Sequence, residues 1–192
     1  MITKQLDSIL AEHKKAIEKS FSDEKVETLE KISREVLKAF KNGHKLLLCG
    51  NGGSAADAQH IAAEFIGRFK RERQSLPAIA LTTDTSILTA IANDYHYDVV
   101  FARQVEGLGQ KGDVLIAIST SGNSKNVLEA VLEARKMGLV TIGFTGQAGG
   151  RLKDLADICF MAEAVNTPHV QEVHITALHA ISEAVEDTLF GS

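Results

Sequence analysis

Two side chains that can do chemistry, His60 and Glu64, lie four residues apart in the run "SAADAQHIAAEFIGRF". On a helix that spacing puts an imidazole and a carboxylate on one face. There they can ligate a divalent metal or move protons. Taken alone, such a pair is more simply a surface contact worth a few tenths of a kcal/mol. The Ala, Ile and Phe residues that flank it argue for a larger role. A second run, "HVQEVHITALHAISEAVEDTLF", carries Gln171 and His179. Eight residues along one ideal helix separate two side chains by ~12 Å along the axis and about 80° around it. Both reach one ion only by leaning toward each other; otherwise they serve different subunits' sites. His169 and His174 are further candidates, each more simply read as a surface or capping residue.

Three polar loops can bind rather than react. "GNGGSAAD" follows the apolar "KLLLC", and its Gly52 and Gly53 permit positive φ and close backbone approach. Ser54 can cap the next helix, whose free N–H groups favour an anion. "STSGNS", Ser119 to Ser124, follows "DVLIAI" and packs four hydroxyls and one glycine into six residues at the mouth of a helix. That is a donor set for a phosphate monoester. In "AND", Asn93 and Asp94 can bind sugar hydroxyls. Gly, Ser and Asn are also ordinary turn residues. Neither glycine loop is a dinucleotide fingerprint or a Walker loop, since G-x-G-x-x-G and G-K-[ST] are both missing. Two such loops, each at the end of a strand, favour binding, because open parallel sheets bind ligands there.

The elements that must hold these residues follow from periodicity. Short apolar strands, "KLLLCG", "PAIALTT", "DVLIAISTS", "LVTIGFTG" and "DICFMA", alternate with helical runs. Strands apolar on both faces and alternating with helices predict an α/β fold, a five-stranded parallel sheet covered on both sides. Residues 2–42 read as helix with a break at "SFSDEK", where Ser22 or Asp23 is the N-cap. Their apolar stripe precedes the first strand and has little sheet of its own to cover, so packing against another subunit is expected. Gly138 closes the helix "SKNVLEAVLEARKMG", and "VVFARQVEGLG" reads as one helix.

The chain has 192 residues, enough for one domain with a full core. A net charge of −4 gives no reason to expect nucleic acid or an anionic membrane as partner. The N-terminus has no signal-peptide core, and no apolar run approaches the ~18 residues a membrane helix needs. Cys49 and Cys159, both in apolar runs, read as thiols of a reduced, cytoplasmic compartment.

With these residues assembled, "CGNGGSAADAQHIAAEFIGRF", "AIANDY", "DVLIAISTSGNSKNV" and "QEVHITALHA" together resemble the phosphoheptose isomerase family of the sugar isomerase (SIS) domain superfamily. "STSGNS" marks only the superfamily; the set His60, Glu64, Gln171 and His179 is more specific. The resemblance covers nearly the whole chain. It implies a three-layer αβα SIS domain over 43–192, with residues 1–42 as an oligomerising helical segment. It implies a homotetramer with active sites between subunits, and interconversion of sedoheptulose 7-phosphate and glycero-manno-heptose 7-phosphate through an enediol, the first step toward ADP-heptose and the lipopolysaccharide core. Carried over residue by residue, substrate contacts fall on Asn51, Gly52, Gly53, Ser54, Glu64, Asn93, Asp94, Ser119, Thr120, Ser121, Ser124 and Gln171. Zinc ligands fall on His60, Glu64, Gln171 and His179, with Glu64 the base and His179 the acid. Where some members carry an Asp three residues before the Gln, this chain has Pro168, beside which His169 is a candidate substitute.

A rival reading stays open: a non-catalytic phosphosugar-binding or DnaA-initiator-associating SIS protein, similar in "SLPAIAL" and "LTAIAND". Such an adaptor needs no acid, base or metal. An amino-sugar phosphate isomerase fits less well, since those chains are usually longer.

Overall fold

A computed structural model describes residues 2–191. In chain order the elements are α1 (Ile2–Ser20), α2 (Asp23–Lys41), β1 (Leu46–Gly50), α3 (Gly53–Ile66), β2 (Ala78–Ala80), α4 (Thr85–Asp94), α5 (Ala102–Leu108), β3 (Val114–Ile118), α6 (Lys125–Met137), β4 (Val140–Thr145), α7 (Gly150–Leu155), β5 (Ile158–Met161) and α8 (Thr167–Phe190). The five strands form one parallel sheet in the order β2-β1-β3-β4-β5. Ser22 is the N-cap of α2, and Gly138 closes α6 in the left-handed region at φ 79°. "VVFARQVEGLG" is instead a short 3-10 turn at Tyr97–Val99 followed by α5.

Alternation along β1 shows why this is three layers. Leu46 and Leu48 join the core beneath α2, α3 and α8, while Leu47 and Cys49 join the opposite core with α5, α6 and α7. Successive side chains of a strand point to opposite faces, so a strand buried on both must be apolar throughout. Burial pushes the Cys49 thiol up to about 12, which keeps it protonated; Cys49 and Cys159 are both free.

The N-terminal helices depart from the expectation. Leu29, Ile32, Val36 and Ala39 of α2 are buried in the chain's own core. β4 and β5 extend the sheet past β3, and α2 covers that extension beside α8. α1 keeps an open apolar stripe: Leu6, Ile9 and Leu10 are each more than half exposed. α4 likewise buries none of its residues. Among the described residues, no helix is long and apolar enough to cross a membrane.

Candidate active site

The strand order reverses between β1 and β3, which pair in register from Leu46↔Val114 to Gly50↔Ile118. Ligands bind at the carboxyl ends of strands at such a switch point. The loops that leave Gly50 and Ile118 therefore start side by side, and they are bonded together. Asn51 and Asn126 exchange amide hydrogen bonds at 2.9 and 2.8 Å, and the Tyr97 hydroxyl donates to Asn51 at 3.4 Å. Neither Asn126 nor Tyr97 stands out in the sequence. Asn126 is buried on the first turn of α6, immediately after the serine loop.

The loop Ser119–Ser124 is locked by its own bonds. The Ser119 hydroxyl donates to Ser124 Oγ at 3.1 Å, and the Asn123 N–H donates to Ser121 Oγ at 3.2 Å. Gly122 has φ 67°, and a β-carbon there would overlap the Gly149 carbonyl oxygen, so only glycine lets the loop close onto α7. Ser124 is the N-cap residue of α6, but its side chain makes no cap bond. Thr120 and Ser121 belong to the loop that leads into the N-terminus of α6, and a helix N-terminus with hydroxyls before it is a donor-rich cradle for an anion. On the other loop, Gly52 rather than Ser54 is the N-cap of α3; Ser54 lies buried in the first turn. Asn93 and Asp94 are exposed at the end of α4, bonded to each other at 2.9 Å.

The reactive side chains meet through two helices that run in step. Gln171 of α8 lies against Gly53 at the start of α3, where a β-carbon would overlap its amide. Two turns on, His179 Nε2 stands 3.2 Å from His60 Nε2. His60 Nε2 stands 3.1 Å from Glu64 Oε1. The structure thus brings together His60, Glu64 and His179, with one ligand atom of each within 4.8 Å of the others. It places the Gln171 amide against Gly53, seven residues before His60 on α3. His179 lies below the ordinary imidazole value, because burial and neighbouring His60 disfavour its cation more than Glu64 favours it. Ligand atoms around a tetrahedral ion with ~2.0–2.1 Å bonds stand ~3.3 Å apart, so two imidazole nitrogens and a carboxylate oxygen at these spacings suit zinc. Beside them, one oxygen of Asp57 is buried without a partner. Burial pushes that carboxyl up to about 6, with His60 pulling it back.

The other histidines turn elsewhere. His169, the candidate substitute for the missing Asp, packs against His13 of α1, ring centres 5.9 Å apart. Pro168 occupies the first turn of α8, where a missing N–H costs nothing. His174, fully buried rather than at the surface, meets the Thr145 carbonyl oxygen at 2.9 Å.

A parallel α/β sheet with donor-rich loops at its switch point defines a class of ligand-binding α/β proteins, and the family model of the SIS domain matches residues 11–146. Phosphoheptose isomerases from Roseiflexus sp. and Nitratiruptor sp. are 62% identical over 83% of this chain and 81% of the relative, and 54% identical over 95% and 97%. The structure of phosphoheptose isomerase GmhA from Neisseria gonorrhoeae superposes with a TM-score of 0.92 at 41% identity, covering 97% of this chain and all of that one. This chain belongs to the phosphoheptose isomerase family of SIS-domain proteins.

Proposed function

We infer that the protein is an aldose–ketose isomerase that interconverts D-sedoheptulose 7-phosphate and D-glycero-D-manno-heptose 7-phosphate, the first step toward ADP-heptose for the lipopolysaccharide core. The observation that carries the reading is the meeting of Glu64, His60 and His179, in a chain of this family. The cradle of Ser119, Thr120, Ser121 and Ser124 grips the phosphate. Asn51, Gly52, Gly53, Ser54, Gln171, Asn93 and Asp94 line the sugar. Held in that way, the substrate presents C1 and C2 to the reactive cluster.

Glu64 takes a proton from C1 of the ketose and returns it to C2. His179 serves the two oxygens: it donates a proton to O2 as the enediol forms and accepts one from O1 as the aldehyde forms. No atom is gained or lost. His60, Glu64 and His179 would hold zinc, with Gln171 the fourth ligand implied by the family resemblance. Bound zinc would supply Lewis acidity toward the sugar carbonyl.

The enzyme is a cytoplasmic homotetramer in this reading, with residues 1–42 contributing to assembly. Support comes from the open apolar stripe of α1, the unburied α4 that carries Asn93 and Asp94, and an apolar groove between α2 and α8 lined by Phe21, Val26, Leu37 and Val185. Light scattering at micromolar concentration should report four chains; a monodisperse monomer refutes the shared site. Purified protein incubated with sedoheptulose 7-phosphate should yield the aldoheptose phosphate. Binding of the sugar phosphate without turnover would favour the non-catalytic adaptor instead.

A further inference from the structure

The segment between α3 and β2 reads "GRFKRERQS" and carries four cations in six residues. A run of that kind is ordinarily a solvated surface. One member is not. Arg73 and its partner Glu186 each leave 1% of the side chain exposed. Arg73 Nε donates to Glu186 Oε1 at 2.9 Å. Nη2 donates to the Glu64 carbonyl at 2.8 Å, and Nη1 sits among the carbonyls of Phe65, Gly67 and Gln74 at 2.8, 3.1 and 3.0 Å. The last carbonyls of a helix have no partner within it; here a guanidinium fork satisfies those of Glu64 and Phe65 at the end of α3.

Glu186 is equally saturated. The backbone N–H groups of Phe69, Lys70 and Arg71 all donate to its carboxylate, at 3.0, 2.7 and 3.0 Å. Burial pushes this carboxyl up, yet those N–H groups and Arg73 together hold it below the ordinary glutamate value. Three consecutive N–H groups aimed at one anion fix the path of the chain. That path stacks the Phe69 ring on the His179 ring, centres 5.6 Å apart and 28° from parallel.

Glu186 stands seven residues after His179 on α8, almost two full turns, so both face α3. Along the two in-step helices there are then three rungs: Gln171 on Gly53, His179 on His60, and Glu186 on the loop that ends α3. We propose that the Arg73–Glu186 pair is a positioning device for the reactive cluster: it holds the Glu64 backbone from one side and, through Phe69, the His179 ring from the other. Neither residue touches the reacting atoms. A buried ion pair is a poor source of net stability, since well-packed apolar residues often do as well. Its use here is geometric: one rigid planar group joins the helix that carries His60 and Glu64 to the helix that carries His179. A lysine keeps the charge but has no fork and cannot span a carboxylate and four carbonyls.

The test rests on the isomerase reading for turnover and stands apart from it for metal. Zinc affinity is measured by chelator competition on the full-length protein, alongside kcat, KM and helix content by circular dichroism. Arg73→Lys should stay helical with KM for sedoheptulose 7-phosphate within about threefold, because the phosphate cradle lies elsewhere. Its kcat and zinc affinity should each fall by about 10–100-fold, the usual loss when a group that orients metal ligands is removed. Arg71→Ala, which removes the exposed pair between this loop and Asp187 of α8, should leave all four readouts unchanged. If Arg73→Lys does not fold, Glu186→Gln carries the test with the same expectations. Wild-type kcat and zinc affinity in a folded variant overturn the proposal, and so does failure of both variants to fold, which would make the pair a fold determinant only. Should the unmodified protein not turn over the substrate, the isomerase reading falls, and the two zinc affinities alone decide the positioning role.

Discussion

The phosphate cradle and the reactive cluster are built in opposite ways. The cradle is one stretch of six residues, closed by bonds between its own serines and by a glycine that only one turn shape admits. The cluster is three side chains from two helices, with His60 and His179 separated by 119 positions in sequence. A local loop keeps its shape as long as its strand and helix stand. A cluster between helices keeps its shape only while the helices keep their register, which other contacts must enforce. Binding should therefore resist distant changes, and chemistry should not.

The largest effect that tests this contrast is at the cluster. Glu64→Gln keeps the shape but cannot take a proton, so kcat should fall by roughly 10²–10⁴, with KM and oligomeric state retained. His179→Gln should fall similarly and also lose bound zinc. Turnover together with metal analysis on both variants is the measurement; near-normal turnover by Glu64→Gln would remove the base role.

A pH titration of stability comes next, at a residue of α8 that belongs to neither region. His174 is buried with Nε2 on the Thr145 carbonyl, so the proton sits on Nε2 and Nδ1 is left unpaired. Burial lowers its pKa from 6.5 to about 4, against the opposing hydrogen bond to Thr145. The unfolded chain thus takes up the proton first. Stability is undiminished above pH 6.5 and is lost as the pH falls from there to about 4, by on the order of 3 kcal/mol in total. Denaturant melts across that range should lack most of this slope in His174→Gln. An identical slope in the variant would assign the loss to other groups.

Ser121→Ala and Ser124→Ala probe the cradle. Each should weaken substrate binding by about 1–3 kcal/mol, the cost of a hydrogen bond to a charged group, with kcat largely preserved. Unchanged KM in both would move the phosphate elsewhere. The smallest effect is expected at Asn126→Ala, which removes the two amide bonds to Asn51 and loosens one loop against the other. About 1 kcal/mol in KM, with kcat hardly altered, would place this pair with binding; a drop in kcat alone would tie the loops to the chemistry and blur the contrast.

Legibility in the sequence divides along the same line. Strand, glycine turn and helix are neighbours in the chain, so "GNGGSAAD" and "STSGNS" could be read as strand-end loops from residue types alone. The pair His60 and Glu64 is likewise fixed by helical spacing. Arg73 was hidden among Arg68, Lys70 and Arg71, because nothing local distinguishes the one cation that is buried from those that are solvated. Asn126 gave no signal either; its partner lies 75 positions away. α2 looked like a subunit contact because its sheet cover lies in strands that come far later in the chain.

By itself the sequence determined the layered parallel fold, the two donor loops, the i, i+4 metal-type pair and the presence of a second helix bearing Gln171 and His179, since all of these rest on spacing within one element. Only the tertiary structure decided that α3 and α8 run in step, so that His179 meets His60 while Gln171 falls back against Gly53. That register comes from contacts between residues more than a hundred positions apart, which helical periodicity, blind beyond its own element, does not encode.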